Sequence, residues 1–295
     1  MTLLDPALNH ARTRLAGALR SRVAGEDAQT KAAAIWLSDG PRWFTPDDPI
    51  WRVHADASMF PAGIRALLLQ SLHPLAMAGV AGHSGYKGDP WGRLQRTSEF
   101  LATTTFGTID HAERQIARVR RIHERVRGTA PDGRPYAASD PHLLRWVHVT
   151  EVDSFLTAYQ HYAVEPLSDA DADRYVQQAT LVASRLGVVD APTTVGELRD
   201  AIEGYRPELA GTPAAREAAR FLLVHPPLPL AARAGYSALA AGAVAMLPRW
   251  ARTPLRLPYL PATERVLGRP LGGAATSVVR WAMSHPHDVR HRAAG

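Results

Sequence analysis

Apolar residues recur at intervals of three and four along almost the whole chain, while alternating Val/Ile-rich runs are nearly absent. A chain patterned this way can bury helical stripes but has little with which to build a sheet. The expected fold is therefore all-α, a single helical domain. Helices are predicted over residues 5–24, 63–79, 91–106, 110–127, 141–162, 169–186, 195–203, 213–223, 228–246 and 262–283. Several ends carry their own signals. Thr108 and Asp110 offer N-caps, and Asp140–Pro141 puts a cap and a first-turn proline ahead of HLLRWVHVTEVDSFL. Gly128 stands where a left-handed residue would close the helix that holds RVRRIHER, and TAPDGRPYAA after it reads as a turn-rich loop. Pro207 and Gly211–Thr212–Pro213 mark the best break without resembling a flexible linker. The expected organisation is an N-terminal helical extension (1–40), a core (41–190) and a C-terminal helical subregion of the same domain (191–295).

With 295 residues and 46% hydrophobic content the chain can bury a sizeable core. Its formal charge of +6 comes almost wholly from arginine, Lys31 and Lys87 being the only lysines, with acidic residues spread among them. No single-sign tail results, and nucleic acid is not an expected partner. The chain has no cysteine, which excludes disulfides, thiolate-bound zinc, iron–sulfur clusters and cysteine-ligated haem. Any metal must be held by His, Asp, Glu or Tyr. The most apolar segment, AGYSALAAGAVAML at 234–247, is short of the ~20 residues a transmembrane span needs, though it leaves peripheral membrane contact open. No leader-like apolar run opens the chain, so a cytoplasmic location is expected.

Familiar catalytic patterns fail one after another. HERVR begins like the HExxH zinc helix, but its fifth position is Arg127. GHSGYKGDPWG lacks GxGxxG spacing, no GxSxG elbow exists, and the His148–Glu151 pair lacks the further Glu-x-x-His motifs of a dinuclear site. Two helices remain. In RVRRIHERVRG, His123 falls in the apolar stripe of Ile116, Val119 and Val126, with Arg120 and Arg127 flanking it. In GRLQRTSEFLATTTFG, Arg93 and Thr97 share a face that continues into Phe100, Leu101 and Thr104. A buried arginine is costly unless an anion meets it. An imidazole in an apolar slot, arginines for carboxylates and no thiolate make the inventory of a histidine-ligated haem. A core histidine bonded to a backbone carbonyl is the other reading of the same spacing.

The ordered segments WRVHAD, LQSLHPLAMAGVAGHS, DPWGRLQRTSEFLATTTFG, RVRRIHERVRG and YAASDPHLLRWVHVT resemble the MpaB-type oxygenase family, which shares its catalytic domain with the rubber oxygenase called latex clearing protein. The resemblance runs over about 42–186, with a weaker continuation beyond. It implies a partly globin-like core holding one haem b, with His123 as the iron ligand and Arg93 and Thr97 over the haem. His148, on the next helix, is the other candidate ligand. Where the rubber oxygenases carry lysine in R-x-x-K-T, this chain has Arg96, which cannot become a reversible neutral ligand. Arg96 is instead expected either to pair with Glu99 at the surface or to meet a propionate or substrate anion. The acidic residue those enzymes hold upstream of the arginine has no counterpart here before Asp89, and His83 is the nearest polar candidate for that place. The implied activity is oxidation of a hydrophobic small molecule or lipid-like alkene by dioxygen. The alternative is a non-catalytic haem binder that senses gas or stores cofactor.

Overall fold

The computed structural model describes residues 4–25, 27–83 and 88–284, and these are overwhelmingly helical. The helices run α1 Leu4–Ala24, α2 Ala28–Trp36, α3 Pro49–Ala55, α4 Met59–Gln70, α5 Pro74–His83, α6 Pro90–Phe106, α7 Ile109–Arg125, α8 Pro141–Tyr162, α9 Asp169–Leu186, α10 Val195–Tyr205, α11 Pro213–Leu223, α12 Leu230–Ala245, α13 Arg249–Arg252, α14 Pro261–Thr263 and α15 Arg269–Met283. A 3₁₀ turn, Arg206–Glu208, follows α10, and a π turn, Glu264–Gly268, precedes α15. The fold is all-α, as the periodicity requires.

Capping chemistry sets the helix starts. The side chains of Thr108, Ser168, Thr194 and Thr212 each accept from an amide in the first turn of α7, α9, α10 and α11, and Asp140 accepts from the His142 amide behind Pro141. Gly187 closes α9 in the left-handed conformation, φ +105°.

Three expectations change. The helix predicted over 63–79 is broken into α4 and α5, which meet at 108°, because Pro74 has no amide hydrogen and pushes His73 out of the helical region. The expected loop after α7 is a small antiparallel hairpin, β1 Arg127–Thr129 with β2 Pro135–Ala137, so Arg127 and Gly128 lie in a strand rather than at a helix end. Gly128 faces Tyr136 across it, and a Cβ there would stand 2.7 Å from the tyrosine oxygen. That glycine answers a ring laid over the backbone, which also approaches Gly79 and Gly82 of α5, and not a left-handed cap. The short helices α2 and α3 were not anticipated: seven to nine residues carry too little periodicity to be read.

The core has two halves that share α4. One side of α4, including Ala62 and Ala66, packs with Trp146, Val149 and Phe155 of α8, Tyr175 of α9 and Leu198 of α10. The other, including Ile64, Leu68 and Leu69, packs with Ala215 and Ala219 of α11, Leu239 and Ala243 of α12 and Val279 of α15. Arg65 joins the halves. Its guanidinium meets Asp153 Oδ2 and Ser154 Oγ at 2.7 Å each and donates to the Met246 carbonyl at 3.1 Å. A buried arginine survives only when its donors are satisfied in this way. Among the described residues no single helix is long and apolar enough to cross a membrane, and α4 with α5 passes only as a bent pair.

Candidate active site

His123 lies near the end of α7, and α7 packs against α6 and α9. Ile116 is buried and Val119, His123 and Val126 are half-buried, whereas Arg118, Arg120 and Arg121 are exposed, so the apolar stripe does turn inward with the imidazole in it. His123 Nδ1 is buried and makes no hydrogen bond. The backbone-bonded core histidine, the other reading of the spacing, is therefore not what that nitrogen forms. Burial lowers the His123 pKa and keeps the ring neutral.

A second group of polar side chains lies on α8. His148, Glu151 and Phe155 follow at intervals of three and four, on the side of the helix opposite Trp146 and Val149. His148 Nε2 is buried without a hydrogen bond, and burial, with the nearby charge of Arg145, pushes its pKa down to about 4. Burial pushes the Glu151 carboxyl up to about 7. Tyr175 of α9 is wholly buried, and its hydroxyl has no partner. Burial and the neighbouring Glu151 and Asp153 carboxylates drive its pKa well above the ordinary value. His54 of α3 completes the group. Its ring stands edge-on to Phe155 (5.5 Å between centroids) and Tyr175 (6.0 Å), and its Nδ1 lies 2.8 Å from Thr105 Oγ1 of α6. Burial brings its pKa to about 4.

The distal candidates lie elsewhere. Arg93 is half-buried in the first turn of α6, but Thr97 is exposed, and α6 turns inward only from Phe100, with Thr103 to Phe106 buried. The first half of α6 packs on α1 instead of the core: Gln95 reaches the Ser21 and Arg22 carbonyls, and Arg22 lies 4.7 Å over the Trp91 ring. The expectation that Arg93 and Thr97 ride together on the apolar side is thus corrected for Thr97. Arg96 is exposed, as its surface reading requires, but it pairs with Asp89 Oδ2 at 3.2 Å and not with Glu99, which Lys31 holds at 2.9 Å and Gln115 at 3.1 Å. Arg120 is exposed and donates to the Arg185 carbonyl at 3.4 Å. His83 is exposed and edge-on to Tyr136, 6.0 Å between centroids. Within GHSGYKGDPWG, residues 84–87 lie outside the described part of the chain.

Residues 51–281 match the family described as ER-bound oxygenase mpaB/B'/Rubber oxygenase, catalytic domain. The chain belongs to this family. The match extends far beyond the five resembling segments, through α9 to α15, so the C-terminal helices that bury the second side of α4 are part of the family's catalytic domain. No curated protein and no solved structure matches the chain. Membership places it among oxygenases.

Sequence reasoning missed Tyr175 and His54, and set Glu151 aside when the dinuclear motif failed. The spacing of His148, Glu151 and Phe155 on one face was the available signal.

Proposed function

We propose that the protein is a haem b-dependent oxygenase that uses dioxygen on a hydrophobic small molecule or lipid-like alkene. The observation that carries this reading is that neutral imidazoles on α7 and α8, His123 and His148, each hold a buried nitrogen with no protein partner. Buried polar atoms are nearly always satisfied, and an unpaired one costs about 1–3 kcal/mol, so two on helices that both pack against α9 ask for a bound group. The donor set fits haem iron: neutral histidine is available, thiolate is absent, and arginines stand near α7 for carboxylates. Bound haem would supply reducible iron able to engage dioxygen.

The chain's own residues would do the rest. His123 would hold the iron, its ring kept neutral by burial. Arg93, always charged and half-buried in the first turn of α6, would serve as a hydrogen-bond donor only if that turn faces the bound group, since here it packs on α1. Glu151, held near neutrality by its apolar surroundings, keeps a proton on its carboxyl below about pH 7 and can release it above. Tyr175, whose pKa burial and the neighbouring carboxylates drive well above its ordinary value, would keep its proton and serve as a hydrogen-bond donor. Thr97 and Arg96 are exposed, and Arg96 forms a surface ion pair with Asp89.

The test is the absorption spectrum of the purified protein, with His123→Ala and His148→Ala beside it. The expected result is a Soret band lost in His123→Ala and kept in His148→Ala, with dioxygen uptake when hydrophobic alkenes are added. Loss in His148→Ala alone moves the ligand to α8. Protein that stays colourless after expression with added haem overturns the reading, and reversible dioxygen binding without consumption makes it a sensor or store.

A further inference from the structure

On the face of α8 opposite His148 and Glu151, three side chains from distant parts of the chain meet. His73 stands at the α4–α5 corner, His142 in the first turn of α8, and Glu208 at the end of the 3₁₀ turn after α10. One ligand atom from each lies within 4.8 Å of the others. Glu208 Oε2 is 2.9 Å from His142 Nε2 and 3.4 Å from His73 Nε2. We propose that His73, His142 and Glu208 form a binding site for one divalent transition-metal ion of the zinc class, with its open side toward solvent.

Two observations separate this site from an ordinary ion pair. His73 is 1% exposed, and its Nε2 points at the carboxylate yet forms no hydrogen bond, so a fully buried donor atom aims into the cluster unsatisfied. Burial, which outweighs the Glu208 charge, keeps this ring neutral, the form that ligates. The second concerns the proton on His142. Tyr205 donates its hydroxyl hydrogen to the His142 carbonyl at 2.8 Å, so the tyrosine oxygen is left to accept from His142 Nδ1, 3.4 Å away. With Nδ1 able to keep a partner in the tyrosine oxygen, Nε2 can exchange the hydrogen bond it otherwise shares with the Glu208 oxygens, 2.9 and 3.0 Å away, for a bond to a metal.

Tetrahedral ligands about 2.1 Å from zinc stand about 3.4 Å apart, so the two contacts to Glu208 are already near that spacing and only the histidine pair must close. The His73 Nδ1 contact to the Ala76 amide, 3.5 Å, is at the limit of a hydrogen bond, and moving the ring proton to Nδ1 gives up little. Arg134, whose charge acts on both His73 and Glu208, opposes a cation. Two histidines and a carboxylate suit zinc and its neighbours over magnesium or calcium, whose sites are all oxygen. The site abuts a cleft of about 460 Å³, also lined by Arg145, Glu197 and Asp200, which gives the ion an entry path and room for water at the remaining position. A metal there would fasten the α4–α5 corner, the start of α8 and the end of α10 to one another.

The experiment uses the full chain without a polyhistidine tag, carrying His285→Ala, His287→Ala and His291→Ala so that the HPHDVRH run does not compete for metal. After chelation, Zn²⁺ is titrated by calorimetry, and melting temperature is followed with and without Zn²⁺. The expected result is one Zn²⁺ per chain, at least about tenfold weaker binding in His142→Ala and in Glu208→Gln, and a zinc-dependent rise in melting temperature that both variants lose. His142 and Glu208 are half-exposed, so their replacement leaves the core intact, which removal of His73 does not. Absence of Zn²⁺ binding overturns the proposal, and so does binding that both variants retain. Neither outcome bears on the Soret band, which tests His123 of α7 and His148 on the other face of α8.

Discussion

Replacing Glu151 by glutamine probes the buried polar group on α8 most directly. Burial raises the Glu151 carboxyl from the ordinary glutamate value of 4.5 to about 7, so the folded protein keeps a proton that the unfolded chain releases. The destabilisation is absent below pH 4.5, where both states are protonated. It grows as pH rises toward 7 and is complete above. The difference between 4.5 and about 7 makes it about 3 kcal/mol at pH 8, an upper figure. Glutamine keeps shape and polarity but has nothing to ionise. Urea denaturation of wild type and Glu151→Gln should give equal stabilities near pH 4 and a variant more stable by about 2–3 kcal/mol at pH 8, the difference opening between. A difference that does not change with pH would refute the raised carboxyl and, with it, the proton-holding role given to Glu151.

Other expectations concern packing and the acid side. A Cβ on Gly272 would stand 2.6 Å from Gly242 Cα and 2.7 Å from the Tyr162 oxygen, so Gly272→Ala should cost about 1–3 kcal/mol by forcing α12 and α15 apart, read as a lower urea midpoint. Arg42 donates from Nε to the Phe106 carbonyl at 2.9 Å and from Nη2 to the Ser38 and Ile35 carbonyls at 3.1 and 3.2 Å, tying the ends of α6 and α2. Lysine cannot span that fork, and Arg42→Lys should lose about 1.5–3 kcal/mol in the same assay. His54 and His148, held neutral with pKa values about 4, contribute stability that is full above their ordinary 6.5 and falls as pH drops toward 4. Acid unfolding followed by circular dichroism should therefore begin at lower pH in His54→Phe than in wild type.

The all-α class and most helix positions were legible because long amphipathic helices repeat their signal over several turns. α8, α9 and α11 coincide with the expected 141–162, 169–186 and 213–223. The misreadings were local. The α4–α5 corner hides in a run whose apolar spacing continues unbroken through Ser71–Pro74, and only the proline announces it. The sequence suggests a conformational role for Gly128, whereas its role is spatial, since the Tyr136 ring that covers it comes from the opposite strand. His123 was legible as an inward imidazole, but Thr97 was not legible as exposed, because a helical face says which residues align and not where the helix leaves the core. The His73–His142–Glu208 group could not be read at all: its members are 69 and 66 residues apart, and no spacing rule spans three elements.

The distribution of unsatisfied polar atoms then says where this fold bears the cost of function. Elsewhere buried charges are answered: Arg65 by Asp153 and Ser154, Arg252 by Glu264 and the Leu247 and Pro258 carbonyls, Arg280 by Asp56 and the Tyr162 carbonyl. These pairs hold α4 to α8, α13 to the turn before α15, and α15 to α3 and α8, so the scaffold's polar groups stabilise its geometry. On α7, α8 and α9 the pattern reverses, with His123, His148 and Tyr175 unpaired and Glu151 kept protonated by burial alone. A sequence shaped only for stability would place leucine or phenylalanine at such positions, because an apolar residue of similar size has no hydrogen bond to lose. Ser58, His73 and Tyr162 also carry an unpaired buried atom, but His123, His148 and Tyr175 lie on α7 and α8, which both pack against α9, and on α9 itself, where the proposed cofactor would supply their partners.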